Sequence, residues 1–537
     1  MLLDTKMFRP YRRKKHYYRQ DEMIVHYDYN TNHWQIMLNF EVVEGDGYFP
    51  FLRALGNITD QFKEDERIVC YINDLRLAML MIPEGEIEGS KTDESGKKHP
   101  VYYTTNHIEF RNFSLFHISS RGKEAKNVAY MYEYLTKLSE RIGAKTINAC
   151  QYTVGYMSKK ALSYGLDKNI LKWYRENHNY MDSVKEYEDQ LIGCKAGLLK
   201  AWEGEHNDVL MIDLKSAYLS AFVQLDCFPI GRKKHYIGKS AMVKFLKGEY
   251  YHILITTKDK VEEFSQYRVN KTYGFYKHDF DTFEIIGTDL KELVVEQFKK
   301  GATIEVYDAQ KYGRLMPEIV DRMMQFYDEK SKATGSDKEA IKALTEMIYG
   351  KALQQREFDS DKETYTYFLR PDNYMRPEYS MIACSYTRFR LARMISRLGG
   401  SYYNDTDGIE CKYTVENEQI VKEENAIIRK LNISLGFVSN IGTWKFEEKH
   451  ARINIIGRKQ RMYYGDNGEL TVKVAGINKL DLIKHLKEND VKDPMQYFTS
   501  KRMIAVPTYK FDYVNGFSVG EDKYIKIGKD EYYGKVD

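Results

Sequence analysis

The sequence predicts a multidomain protein of the α+β class, and three observations carry that prediction. At 537 residues the chain exceeds the ~250–300 residues at which one hydrophobic core stops growing. Hydrophobic residues make up 43% of it and aromatic residues 14%, against 30% charged, which is ample material for packed cores and excludes a wholly disordered chain. Runs of strand character alternate with stretches whose apolar residues recur every three or four positions, with no internal repeat or low-complexity tract.

The composition narrows the function less than the fold. Lys and Arg number 82 against 78 Asp and Glu, so the whole-chain charge argues neither for nor against a nucleic-acid partner. The 45 tyrosines outnumber the 25 phenylalanines, giving much aromatic surface a hydroxyl suited to a wet groove. Apolar runs such as Leu75 to Ile82, interrupted by Arg76, fall short of a bilayer span, and Met1-Leu2-Leu3-Asp4 offers no apolar core of a secretory signal. No membrane partner and a cytoplasmic location, in the host cell if the protein is viral, are therefore expected. Cys70, Cys150, Cys194, Cys227, Cys384 and Cys411 lack the paired short spacing of a zinc site, so reduced, mostly buried thiols are expected.

In chain order, Arg9-Pro10-Tyr11-Arg12-Arg13-Lys14-Lys15-His16-Tyr17-Tyr18-Arg19 interleaves cations and rings, which suits phosphate contact with base stacking and equally a solvated arm. Trp34 to Val43, Arg67 to Ile72 and Val101 to Phe110 read as strands, interrupted by an acidic loop around Glu84 to Lys98. Val128, Met131, Leu135, Leu138 and Ile142 form one face of a helix over Lys126 to Ile142. Gly231 to Gly313 alternates short Tyr- and Ile-rich runs with charged turns, a mixed insertion. Helical patterns follow over Pro317 to Tyr327 and Asp337 to Tyr349.

Two segments place acids where chemistry needs them. Val209-Leu210-Met211-Ile212-Asp213 is an apolar run ending in an acid, the pattern of a buried strand that delivers a carboxylate at its end. Tyr402-Tyr403-Asn404-Asp405-Thr406-Asp407-Gly408-Ile409-Glu410 sets two acids at i and i+2 within a hydrophobic hairpin. Carboxylates converging from adjacent strands repel unless divalent cations lie between them, and two hard cations ~4 Å apart are the usual clamp for phosphoryl transfer. Taken singly, each is as readily a polar turn. In the helix Lys342 to Lys351, Lys342 and Tyr349 lie two turns apart on one face, fit for a triphosphate and a base, or for an ordinary amphipathic helix ended by Gly350.

The order of these segments resembles the polymerase motifs of family B DNA polymerases. Asp213-Leu214-Lys215-Ser216-Ala217-Tyr218 looks like the first motif, Lys342 through Gly350 like the second, and Tyr403-Asn404-Asp405-Thr406-Asp407 like the third. The gaps between them resemble the protein-primed branch found in small phages with linear genomes. Cys194-Lys195-Ala196-Gly197 is similar to that branch's Tyr-Arg-Gly-Gly hinge, Arg388 to the arginine before the third motif, Arg461-Met462-Tyr463 to its Lys-x-Tyr motif, and Lys473-Val474-Ala475-Gly476 to the start of its thumb.

The resemblance implies a right-hand fold: an N-terminal exonuclease-like domain of RNase H type at 1–180, palm at 185–231 and 352–450, an insertion at 232–313 resembling the region that contacts a terminal protein, fingers at 314–351 and thumb at 451–537. It further implies that Asp213 and Asp407, completed by Asp405, hold Mg2+ or Mn2+. Tyr218 would pack under the incoming sugar, beside Ser216, and select deoxynucleotides. Lys342 and Lys330 would neutralise the triphosphate and Tyr349 contact the nascent base pair. Arg461 and Tyr463 would grip the primer end, with Lys195, Gly197, Arg388, Thr406 and Lys473 on DNA. The expected function is DNA-directed DNA polymerisation on a primer–template with deoxynucleoside triphosphates, started from a terminal protein.

The sequence also departs from the pattern. Glu346 and Met347 stand where the second motif carries Asn and Ser, so Glu346 is expected to face Lys342 four residues away or to weaken nucleotide binding. Gly408 replaces a Ser and Leu219 a Pro, and the stretch between Lys351 and Arg388, where the family carries a hairpin around downstream DNA, is short. The exonuclease acids are missing: Asp28-Tyr29-Asn30-Thr31 has Asn for Glu, Asn73 is followed by Leu77 where an Asp belongs, and Tyr134 takes another Asp position. Proofreading is therefore expected to be absent, with the domain kept as a scaffold. An untemplated nucleotidyl transferase and an inactive nucleic-acid-binding scaffold are the alternatives, and template dependence separates the first from a polymerase.

Overall fold

The computed structural model describes residues 19–28, 31–59, 61, 66–73, 103–104, 108–113, 127–147, 154–177, 199–224, 228–247, 252–256, 275–278, 288–313, 316–346, 350, 356–359, 364–367, 377–475, 479–497, 502–506, 509–512, 516–519 and 523–527. The basic arm before Arg19, the acidic loop at 84–98, Cys194, Lys195, Gly197, Met347 and Tyr349 lie outside the described residues.

The first layer is a six-stranded sheet from β1 (Arg19–Tyr27), β2 (His33–Leu38), β3 (Glu41–Asp46), β4 (Glu66–Ile72), β5 (Tyr103–Thr104) and β6 (Ile108–Asn112), in the order β3-β2-β1-β4-β6-β5. β1 runs antiparallel to β2 and parallel to β4, and β4 parallel to β6, the mixed sheet of an RNase H-type domain. The single strand expected over Trp34 to Val43 is instead a hairpin. Asn39 and Phe40 both adopt left-handed conformations, φ 50° and 72°, which a two-residue turn requires; Asn supplies this readily and Phe40 does so at a solvent-exposed tip. Helix α1 (Tyr48–Thr59) closes one face through Phe51, Leu52 and Leu55.

Helix α2 (Val128–Arg141) covers the other face, begun by Asn127, whose side chain accepts the Tyr130 amide hydrogen, and buries Val128, Met131, Leu135 and Leu138 as the sequence spacing anticipates. With α3 (Val154–Ser163) and α4 (Lys168–Asn177) it enters a core that does not stop at the domain edge. That core runs through Leu219 and Phe222 to Met316, Ile319, Met323, Ile341 and Leu344.

The central sheet has seven strands, ordered β19-β18-β17-β8-β16-β15-β7. It is built from β7 (Leu199–Ala201) and β8 (Gly204–Leu214), which lead into α5 (Ala217–Gln224), and from strands further along the chain. An insertion follows α5, with β9 (Phe228–Ile237), α6 (Lys239–Lys247), β10 (His252–Thr256), β11 (Phe275–His278), α7 (Thr288–Lys299) and β12 (Thr303–Gly313) forming a separate antiparallel sheet, β11-β10-β12-β9. Then come α8 (Pro317–Lys332) and α9 (Gly335–Glu346), which pack on each other, and a short hairpin of β13 (Arg356–Asp359) and β14 (Thr364–Tyr367).

Helix α10 (Pro377–Arg397) leads to β15 (Tyr403–Asp405) and β16 (Gly408–Lys412), and α11 (Val415–Ser434) to β17 (Trp444–Gly457). Leu210, Ile212 and Leu214 of β8 and Ile409 of β16 pack under Leu391 and Met394 of α10 and Val421 of α11, covering one face of the sheet. β17 spans 451, where a thumb is expected to start, with a shift of register against β8 on either side of Ala451, and carries β18 (Gln460–Tyr464) and β19 (Leu470–Val474) on its far edge. Helices α12 (Lys479–Glu488) and α13 (Pro494–Tyr497) precede two strand pairs, β20 (Arg502–Val506) with β23 (Lys523–Ile527) and β21 (Tyr509–Asp512) with β22 (Gly516–Val519). Cys70, Cys384 and Cys411 are buried, and among the described residues no helix is long and apolar enough to cross a membrane.

Candidate active site

Asp213 ends the buried run of β8, and the two neighbouring strands bring its companions. Gly408 of β16 stands opposite it on one side and Lys445 of β17 on the other. Side chains alternate along a strand, so Asp213, Asp405, Gly408, Glu410 and Lys445 share the face left open by α10 and α11. The turn between β15 and β16 is held by the Asp407 amide donating to the Asp405 carbonyl at 2.7 Å, with Thr406 left-handed at φ 61° and its hydroxyl on Asp405 Oδ1 at 3.0 Å. Thr406 thus shapes the turn. The Leu214 amide donates to the Asp407 carbonyl at 2.8 Å, which locks the turn against Asp213.

Ser216, three residues on, is also left-handed, at φ 51°. Its segment is clamped by the loop before β17: the Lys215 amide donates to the Thr443 carbonyl and the Gly442 amide to the Lys215 carbonyl. Gly442 has φ 72°, and a Cβ there would lie 2.5 Å from Gln224 and 2.8 Å from Arg390, so only glycine fits. Lys330, in the last turn of α8, reaches the Ser216 hydroxyl at 3.5 Å and lies over the Tyr327 ring. Tyr218, in the first turn of α5, packs half-buried against the large core. Lys342 and Glu346 pair at 4.0 Å, the first of the two arrangements anticipated for that helix.

Burial raises the Asp213 carboxyl to about 6, and Glu447 adds to the rise while Lys473 and Lys445 oppose it. A partly buried carboxyl with a second acid, Glu447, nearby is an environment that a hard divalent cation relieves. Among the described residues no group of three or more His, Cys, Asp or Glu side chains gathers closely enough to hold a metal. A cation at Asp213 and Asp407 would therefore complete its shell with backbone oxygens, water and substrate phosphates, the way Mg2+ is usually held. Asp213, partly buried, and Asp407, whose carbonyl is tied to Leu214 beside it, are the residues that would hold it.

Arg461 and Lys473 stand opposite each other on β18 and β19. Lys473 is held below its ordinary range, by burial of its head group first and by Arg461 second, although the residue as a whole is exposed. Its ammonium lies over the Tyr463 ring. Arg388, expected on DNA, is 2% exposed within α10, so its charge sits in the interior. Lys445, Glu447 and Glu410 belong to the site without having been singled out from the sequence; the alternating charges of Lys445, Glu447 and Lys449 were the one available signal.

Two residues at expected exonuclease-motif positions make contacts within the fold. Asn73 bridges to the Tyr27 backbone, accepting from its amide and donating to its carbonyl, both at 3.0 Å. Tyr134, 1% exposed, packs edge-on against Phe113.

The chain is similar to Phi29 DNA polymerase complexed with single-stranded DNA, at 12% identity and a TM-score of 0.59, over 95% of this chain and 100% of that one. The fold is that of a family B right-hand polymerase. Phi29 DNA polymerase complexed with primer-template DNA in the post-translocation binary complex gives 13% identity, a TM-score of 0.59 and the same coverage. The ternary complex with primer-template DNA and incoming nucleotide substrates gives 12% and 0.57, over 94% and 99% of the two chains. No family model matches the sequence, and neither does any curated protein. At this identity the likeness speaks for the architecture alone, which includes both the RNase H-type sheet and the central sheet bearing Asp213.

Proposed function

We propose that the protein is a DNA-directed DNA polymerase that extends a primer hydroxyl by nucleotidyl transfer. The observation that carries this reading is the lock between Leu214 and Asp407, which sets Asp213 beside the Asp405-Thr406-Asp407 turn on the open face of the sheet. The primer hydroxyl, giving up its proton to water, attacks the α-phosphorus of a deoxynucleoside triphosphate, the bond from that phosphorus to the bridging oxygen breaks, and pyrophosphate leaves. Asp213 and Asp407 would hold divalent cations, Mg2+ or Mn2+, which supply charge neutralisation for the attacking and leaving oxygens. Lys330 and Lys342 neutralise the triphosphate as charge develops on it. Tyr218 floors the sugar pocket, where a 2′-hydroxyl would clash. Arg461, Tyr463 and Lys473 hold the primer strand.

In this reading 1–180 is a scaffold without proofreading, 185–231 and 352–450 are the palm, 314–351 the fingers and 451–537 the thumb. The separate sheet of the insertion at 232–313 is the docking element for a terminal protein, whose Ser, Thr or Tyr hydroxyl serves as the first primer in replication of a phage or similar linear genome.

The test is extension of a labelled primer–template with Mg2+ and four deoxynucleotides, beside Asp407→Ala and a control lacking template. Templated extension abolished by Asp407→Ala is the expected result. Extension without template would replace the polymerase by an untemplated transferase, and no extension with either metal or a terminal protein would replace it by an inactive scaffold.

A further inference from the structure

The open face of the central sheet carries a buried ion pair for which polymerisation chemistry has no direct use. Glu410 stands opposite Tyr403 in the β15–β16 hairpin and is 3% exposed. Arg461 comes from β18, which the sheet order separates from β16 by two strands, yet the sheet curls far enough to bring its Nε within 2.7 Å of Glu410 Oε1. The guanidinium lies over the Tyr403 ring, 4.1 Å from its centre, and the Tyr403 hydroxyl reaches Asp405 Oδ2 at 3.5 Å.

A buried carboxylate is costly unless paired, and a buried pair contributes less to stability than to holding one geometry. Here the Nε end of Arg461 is fixed by Glu410 and one of its faces by Tyr403. Its two terminal nitrogens make no hydrogen bond among the described residues. Lys473 stands beside it in register, so two cations meet one buried carboxylate and leave positive charge at the rim of the acidic face. A planar guanidinium edge next to an ammonium matches a phosphodiester, which accepts paired N–H groups.

We propose that Glu410 is a positioning residue for the primer strand: it pins the Arg461 guanidinium against Tyr403 so that its free edge, with Lys473, seats the backbone phosphate at the primer terminus. The inference rests on the polymerase reading. It assigns to Glu410 a role in placing the primer hydroxyl and none in binding the nucleotide.

Glu410→Gln keeps the shape and removes the charge. Because a negative charge is lost beside DNA, the variant should bind primer–template as tightly as wild type or more so, with a steeper salt dependence. Its single-turnover extension rate at saturating DNA should nevertheless fall about ten- to a hundredfold, since misplacement of the attacking group is paid in rate. The nucleotide KM should not move, and Glu410→Gln should add nothing in an Arg461→Ala background. Arg461→Lys, which keeps the charge and loses the planar fork, should show the same rate loss at unchanged DNA affinity, and it serves if Glu410→Gln melts. A rate within about twofold of wild type in a folded variant would overturn the proposal, as would a raised nucleotide KM in place of a rate loss. Absence of templated extension in wild type itself would instead overturn the polymerase reading, and is recognised before any variant is made.

Discussion

The ammonium of Lys330 and the hydroxyl of Ser216 meet at 3.5 Å, across the junction between the last turn of α8 and the left-handed residue that follows Asp213. Neither segment packs there by local preference: Ser216 has a left-handed backbone, and Lys330 crosses from a helix that shares the large core with α5. If the pair marks the triphosphate site, Lys330→Ala should raise the deoxynucleotide KM about tenfold and lower the incorporation rate, with Lys330→Arg recovering part of both. Single-nucleotide incorporation on a primer–template measures this, and an unchanged KM would remove Lys330 from the site.

Glu346 holds Lys342 at 4.0 Å, four residues away on the same helix face. A carboxylate there repels a triphosphate and competes for the lysine that would bind it. Glu346→Asn should therefore lower the deoxynucleotide KM, about three- to tenfold, with little change in stability because both side chains are partly exposed. A higher KM would mean that Glu346 itself orients Lys342 for binding.

Asp213 couples the site to pH. Its carboxyl rises from 3.8 unfolded to about 6 folded, chiefly through burial. A folded pKa above the unfolded one means that the native state binds the proton more tightly. The contribution is fully present below pH 3.8 and is lost as pH rises through about 6. Metal-free wild type should accordingly lose stability relative to Asp213→Asn between these values and run parallel to it above them. Added Mg2+ should reverse the loss above pH 6. Denaturant midpoints of the two proteins from pH 4 to 8, with and without Mg2+, decide it.

Tyr134 occupies a position where an exonuclease of this type would carry a metal-binding acid, but it is 1% exposed and packed on Phe113. Tyr134→Asp should not restore nuclease activity. It should cost about 3–5 kcal/mol in urea unfolding, from the lost ring and a buried carboxylate. A stable variant that degrades single-stranded DNA would refute the scaffold reading of the N-terminal domain.

A fifth prediction concerns the ion pairs that join helix α2 to helices α8 and α9. Arg141 of α2 pairs with Glu329 of α8 at 3.3 Å and with Asp337 of α9 at 2.9 Å, its side chain largely buried. Arg141→Ala should lower global stability by about 1–3 kcal/mol in the same unfolding measurement. No loss would show that the shared apolar core alone joins the two regions.

Much of this was legible along the chain. The apolar run into Asp213, the acids two apart around Thr406, and the 3–4 spacing from Val128 to Leu138 each report a local rule: side chains alternate in a strand and return every turn of a helix. The hairpin at Asn39-Phe40 is hidden in the sequence because Phe rarely takes φ above zero and gives no turn signal. The burial of Arg388 is likewise invisible in the sequence, because position along the chain carries no information on which side chains a helix turns inward.

By itself the sequence determined the class of fold, the strand that delivers Asp213 and the turn that delivers Asp405 and Asp407, because those depend on periodicity within a few residues. Only the tertiary structure decided which distant partners complete the site. Lys330 reaches Ser216 through a core shared by two regions, and Arg461 reaches Glu410 because a seven-stranded sheet curls over a buried Tyr403. Such contacts depend on the summed twist of strands and the packing of helices remote in the chain, which no local pattern records.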